Sequence, residues 1–91
     1  MKEFAMKEFE RSLKALANRR RLAILKYLKV NKEAPVAEIA GAIRLSFKAT
    51  SKHLGVLAAA DIVEREQRSL QMFYRLAADP KPVVRHTVAL L

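Results

Sequence analysis

From Phe4 to Leu16 the apolar residues Met6, Phe9, Leu13 and Leu16 recur every three or four positions, while Lys2, Lys7, Glu8, Glu10, Arg11 and Lys14 take other faces. This spacing predicts an amphipathic helix. Its apolar side is more than a free N-terminal arm keeps in water, so it is expected to dock on the body or on a second copy of the chain. Asn18 can cap a second helix, in which Leu22, Ile24, Leu25 and Leu28 form a wide buried stripe ending near Val30. Asn31 to Ala34 is polar and reads as a connection. Pro35 follows, and a proline suits the first position of a helix because its missing N–H is unneeded there. The third helix therefore starts near Pro35, buries Val36, Ile39, Ala40 and Ile43, and stops around Ile43 and Arg44. Leu45 packs the turn, Ser46 is the next cap, and a fourth helix runs from Phe47 to about Ala60 with Thr50, Leu54, Leu57 and Ala58 inward. Two helices joined by some four residues have helix-turn-helix spacing.

After Asp61 the period changes from helical to alternating. Ile62 to Glu66 and Gln71 to Leu76 are rich in β-branched and aromatic residues and predict a β-hairpin across Gln67 to Leu70. Val63, Tyr74 and Leu76 are assigned to its core side and Arg65, Arg68 and Arg75 to its outer side. The connection lacks the glycine or asparagine that tight hairpins favour. Asp79 and Pro80 signal the start of a last helix, with Val83, Val84, Thr87, Val88 and Leu91 on one stripe. With the second to fourth helices already making a core, that stripe is expected to face a partner subunit. The fold class is mainly α with a small β-hairpin, in one domain over residues 1–91.

Composition sharpens this picture. A chain of 91 residues buries only about 60 to 65% of its unfolded surface, so dimerisation is a natural source of stability. The 18 Lys and Arg against 9 Asp and Glu give a formal charge of +9, which attracts polyanions; nucleic acid is the leading partner and an anionic membrane surface the rival. The acidic residues Glu3, Glu8 and Glu10 on the first helix argue against the membrane. No apolar run approaches the roughly 20 residues that span a bilayer, and no secretory signal precedes the first helix, so the expected location is cytoplasmic. Without cysteine there is no disulfide and no thiolate ligand.

Catalysis lacks its parts: there is no cysteine nucleophile, no glycine-rich phosphate loop, and neither histidine has a carboxylate or serine arranged near it in the pattern. His53 beside the inward stripe reads as a packing residue and His86 as a surface one. No metal or other cofactor is expected. Lys48, Ser51 and Lys52 share one outer face of the fourth helix and can reach a single groove. The bland alternative, a solvated face, explains one lysine pair but not its place inside a helix-turn-helix. A winged helix used for protein interaction or RNA binding is the alternative function.

The segment LKALANRRRLAILKYL (Leu13 to Leu28), the segment LSFKATSKHLGVL (Leu45 to Leu57), and the wing pieces Ala60 to Glu66 and Tyr74 to Leu76 together resemble ArsR-type winged helix-turn-helix transcriptional regulators. The resemblance covers about Phe9 to Leu76. It implies a homodimer formed by the first and last helices through Phe4, Met6, Phe9, Leu13, Val84, Val88 and Leu91. It also implies repression through a pseudo-palindromic operator in double-stranded DNA, with half-sites about one helical turn apart. Base-reading positions fall on Phe47, Lys48, Ser51 and Lys52, with Arg44 and Ser46 at the turn and Arg65 and Arg68 on the wing. Many members of the family sense metals through cysteines in the third helix or acidic and histidine ligands in the last. This chain has no cysteine, and Asp79 with His86 does not reproduce the other set, so a non-metal-sensing member is expected. An effector is left open; the dimer face could hold a small apolar molecule. Arg44 stands where the family usually has glycine, and a non-glycine residue at positive φ costs about 1 kcal/mol. Gly55 weakens the fourth helix by roughly 1 kcal/mol relative to alanine.

Overall fold

The computed structural model of the chain describes residues 5–91. Phe4, assigned above to the dimer face, lies outside them. In chain order the elements are α1 (Met6–Leu16), α2 (Arg19–Asn31), β1 (Glu33–Pro35), α3 (Val36–Ile43), α4 (Phe47–Ala59), β2 (Val63–Arg68), β3 (Gln71–Leu76) and α5 (Pro82–Leu90). One apolar core joins Ile24, Leu25 and Leu28 of α2 to Ile39 of α3, Leu54 and Leu57 of α4, Ile62, Val63, Tyr74 and Val84.

The α1–α2 corner explains part of the arginine run. The Asn18 side chain accepts hydrogen bonds from the backbone N–H groups of Arg20 and Arg21, as an N-cap should. The guanidinium of Arg21 turns back to the end of α1, where Nε donates to the Ala15 carbonyl (2.6 Å) and Nη2 to that of Lys14 (3.1 Å). A cation placed on the last carbonyls of a helix is favourable against its dipole. Arg11 of α1 donates to the Ala59 carbonyl at the end of α4, so α1 is tied to the helix that carries the outer lysines.

Three boundaries differ from the pattern-based expectation. Glu33–Pro35 is a strand, not a polar connection, and it pairs antiparallel with β3, giving sheet order β1-β3-β2. Its partner is some 40 residues away, so no local periodicity reveals it. Pro35 ends this edge strand, where a missing N–H is tolerated, and caps α3 at extended ψ of 161° in place of starting it. The hairpin ladder runs to Arg68–Gln71, leaving Ser69 and Leu70 as a two-residue turn with Ser69 at φ 57°. The last helix starts at Pro82, not near Pro80: Lys81 precedes a proline, is held extended (ψ 154°), and can only cap.

The last helix packs much of its apolar stripe within the chain. Val84 is 3% exposed within the single chain, and Val88 and Leu91 pack half-buried against the same core. Its stripe therefore has a home in this domain, formed by α1, α2 and the base of the wing. Lys29 Nζ donates to the Val88 carbonyl (3.1 Å), holding the C-terminal end of α5. What α5 leaves outside is Leu90, 87% exposed, which the stripe did not include.

Candidate nucleic-acid interface

The turn between α3 and α4 sets the angle of the outer lysines. Arg44 sits in the left-handed region (φ 58°, ψ 50°). Its N–H reaches the Gly41 carbonyl (3.4 Å) and that of Leu45 reaches Ala40 (3.0 Å). This is a helix-ending motif that normally takes glycine; with arginine it costs roughly 1–2 kcal/mol. Arg44 is exposed, so its guanidinium is presented at the turn. Ser46 then caps α4, its Oγ accepting from the Ala49 N–H (3.1 Å), and its own O–H remains a donor.

On α4 the inward side is closed by Thr50, Leu54 and Leu57, each fully buried. Opposite them Phe47, Lys48 and Lys52 are exposed and Ser51 is half-exposed. Lys48 and Lys52, four residues apart, stand one above the other on this face. Phe47 and Ser51 look toward the wing across a cleft that is also lined by Pro35, Arg65, Leu70 and Met72. Leu70, at the hairpin turn, is 96% exposed and was not singled out by the alternation.

The wing arginines separate into two kinds. Arg65 is exposed and has no ion-pair partner among the described residues. Arg68 is turned inward along the sheet: its two Nη atoms hold both oxygens of Glu33 (2.7 and 2.8 Å), Nη2 also reaches Glu66 (3.2 Å), and its guanidinium stacks 4.5 Å from the centre of the Phe73 ring. These hydrogen bonds hold Glu33 and Glu66 below the usual carboxylate range and push Arg68 further up. Arg75 is paired with Glu64 and Glu66 in the same way. Arg68, expected at the DNA backbone, is thus paired with two carboxylates in the free chain and fastens β1 to the hairpin beside α4. The signal in the sequence was the cross-strand spacing of Glu64, Glu66, Arg68 and Arg75, but Glu33 belongs to the strand that the pattern missed.

His53 is half-buried on the flank of α4 away from the wing. Its Nδ1 lies 3.2 Å from Nη1 of Arg21, which fixes Nδ1 as the acceptor. Burial, then the charges of Arg21, Arg20 and Lys52, hold its pKa below the ordinary 6.5. It is a half-buried packing residue, held by the Arg21 side chain and not, as the sequence suggests, by backbone. Among the described residues no three His, Asp or Glu side chains come together to hold a metal ion, and no helix is long and apolar enough to cross a membrane.

A helical core, an α3–α4 pair ending in a capped, cation-bearing helix, and a two-stranded wing beside it define a winged helix-turn-helix protein. Residues 18–65 match the bacterial regulatory protein family arsR. The structure is similar to that of HlyU from Vibrio cholerae N16961, at 31% identity and TM-score 0.80 over 98% of this chain and 92% of that one. It is similar also to Mb0332 (fragment 1–100) from Mycobacterium bovis, described as a homodimeric winged helix-turn-helix DNA-binding domain: 32% identity, TM-score 0.80, 93% of this chain and 76% of that one. NolR from Sinorhizobium fredii shares 26% identity at TM-score 0.78 over 99% and 92%. No curated protein matches the sequence. The chain belongs to the arsR family of bacterial regulatory proteins; it is a DNA-binding transcriptional regulator and not an enzyme.

Proposed function

We propose that the protein acts in the cytoplasm as a homodimeric repressor that places α4 in the major groove of each half of a pseudo-palindromic operator. The observation that carries this reading is the two-sided character of α4: one side sealed in the core, the other presenting Lys48, Ser51 and Lys52 together. In that placement the two lysines are the specificity-bearing cations, Arg44 and Ser46 contact phosphate at the turn, and Arg65 contacts it from the wing. The dimer is supported by apolar surface that α1 and α5 leave uncovered, Met6 at 68%, Leu13 at 43% and Leu90 at 87% exposure, and by the homodimeric state of Mb0332. Met6, Phe9 and Leu13 line one shallow surface that would also accept a small apolar effector.

Selection of bound sequences from random duplexes, followed by binding measurements with Lys48→Ala and Lys52→Ala, tests this. The expected product is a two-fold repeat with half-sites about one helical turn apart. A lysine that reads guanine should lose about 1–3 kcal/mol on the selected site alone, whereas a phosphate contact weakens all duplexes equally. Enrichment of no sequence, with both variants binding as the parent does, would rule the reading out.

A further inference from the structure

Arg19 and Arg20 are the cations that this arrangement does not yet use. Three arginines open α2, at the positive end of its dipole, where they weaken the helix unless an anion answers them. Arg21 is answered within the chain by the Lys14 and Ala15 carbonyls and His53. Arg19 and Arg20 are exposed, and among the described residues no carboxylate pairs with either. The helix terminus itself is not the attraction, because Asn18 already occupies the Arg20 and Arg21 amides. What distinguishes the place is that two helices meet there: Arg21 of α2, next to Arg20, bonds His53 of α4, next to Lys52 (3.2 Å between Arg21 Nη1 and His53 Nδ1).

This convergence lies on a particular flank of α4. The side bearing Phe47 and Ser51 faces the wing, with Arg65 and Leu70 across the cleft. His53, and with it the start of α2, lies on the other side. A helix about 10–12 Å across fills a major groove about 12 Å wide, so a sugar-phosphate strand borders each of its flanks. The wing attends to one strand and leaves the second to whatever stands opposite. We infer that Arg19 and Arg20, beside Lys52, bind backbone phosphates of the DNA strand on the side of the recognition helix away from the wing. The contact is a positioning one, giving affinity and register without reading bases.

The inference rests on the placement of α4 in the major groove, and the experiment separates the two. Fluorescence anisotropy is measured for the full chain on its selected duplex and on an unrelated duplex, over a salt series, with Arg19→Gln/Arg20→Gln and Arg19→Lys/Arg20→Lys double variants. Each lost phosphate contact lowers the slope of log K against log salt by about 0.9. The glutamine variant should therefore bind both duplexes more weakly with an unchanged ratio between them, and its deficit should shrink roughly tenfold per bound protomer, on the order of a hundredfold for the dimer, between 50 and 200 mM salt. The lysine variant keeps two point charges and should regain most of the slope. Far-UV circular dichroism confirms that both variants are folded. Parent-like affinity and slope in the glutamine variant overturn the inference, and a change confined to the selected duplex does so too, since that marks base reading. If those variants are silent while Lys48→Ala loses the selected site, only this inference falls. If Lys48→Ala and Lys52→Ala are silent as well, the groove placement of α4 falls with it.

Discussion

Gly55→Ala tests whether the physical account of α4 is complete. Gly55 is the ninth residue of a 13-residue helix, away from both ends. Its φ is not positive, and a Cβ built on it meets nothing within 4 Å, so neither backbone conformation nor packing in this chain asks for glycine. What alanine changes is the freedom of the unfolded chain and the exposure of the helical backbone, a gain of about 0.8–1 kcal/mol at a helix interior. No cavity is filled and no contact is lost, so nothing should subtract from that figure. In a domain of this size about 1 kcal/mol corresponds to roughly 4–8 °C in melting temperature. The assay is thermal unfolding by far-UV circular dichroism at one fixed protein concentration, because association makes the midpoint concentration-dependent. Gly41→Ala is the internal comparison: a Cβ there also meets nothing within 4 Å, but it lies near the end of an eight-residue helix, where a smaller rise is expected. An unchanged or lowered midpoint for Gly55→Ala, with Gly41→Ala behaving as expected, refutes the reasoning that nothing within the chain requires this glycine.

Two further perturbations probe the same helix. Thr50 is fully buried and its Oγ1 has no hydrogen-bond partner among the described residues; Thr50→Val should raise the urea midpoint by an amount equivalent to about 1–2 kcal/mol at constant m, and a lower midpoint would mean that the hydroxyl is satisfied after all. Burial and the charges of Arg21, Arg20 and Lys52 hold the His53 pKa down, so the unfolded chain takes up a proton first as pH falls through the ordinary 6.5. Stability should accordingly begin to decline as pH falls below about 7.5, ahead of carboxylate titration, and His53→Gln should flatten that part of the profile; an equally steep decline in the variant would assign it to other groups.

The helices, the two side-chain caps at Asn18 and Ser46, the hairpin and the outer face of α4 are legible in the sequence, whereas the left-handed backbone of Arg44 is not. The legible features depend on interactions within a few residues or on a period along one element, and such information is local. Only the tertiary structure decided where the orphan pieces go. Glu33–Pro35 became a strand because β3 offered it a partner from far along the chain, and that strand brought Glu33 to Arg68, which ties the wing to β1. The stripe on α5 read as a dimer face because periodicity shows that a side is apolar without showing what covers it; Val84 found its cover in the base of the wing and in Ile62. The arginine run Arg19 to Arg21 places three like cations in the first turn of α2. Folding divided it, spending Arg21 on the carbonyls of α1 and on His53 while Arg19 and Arg20 stayed at the surface, because only the packed corner of α1, α2 and α4 brings acceptors within reach of one guanidinium and not the other two.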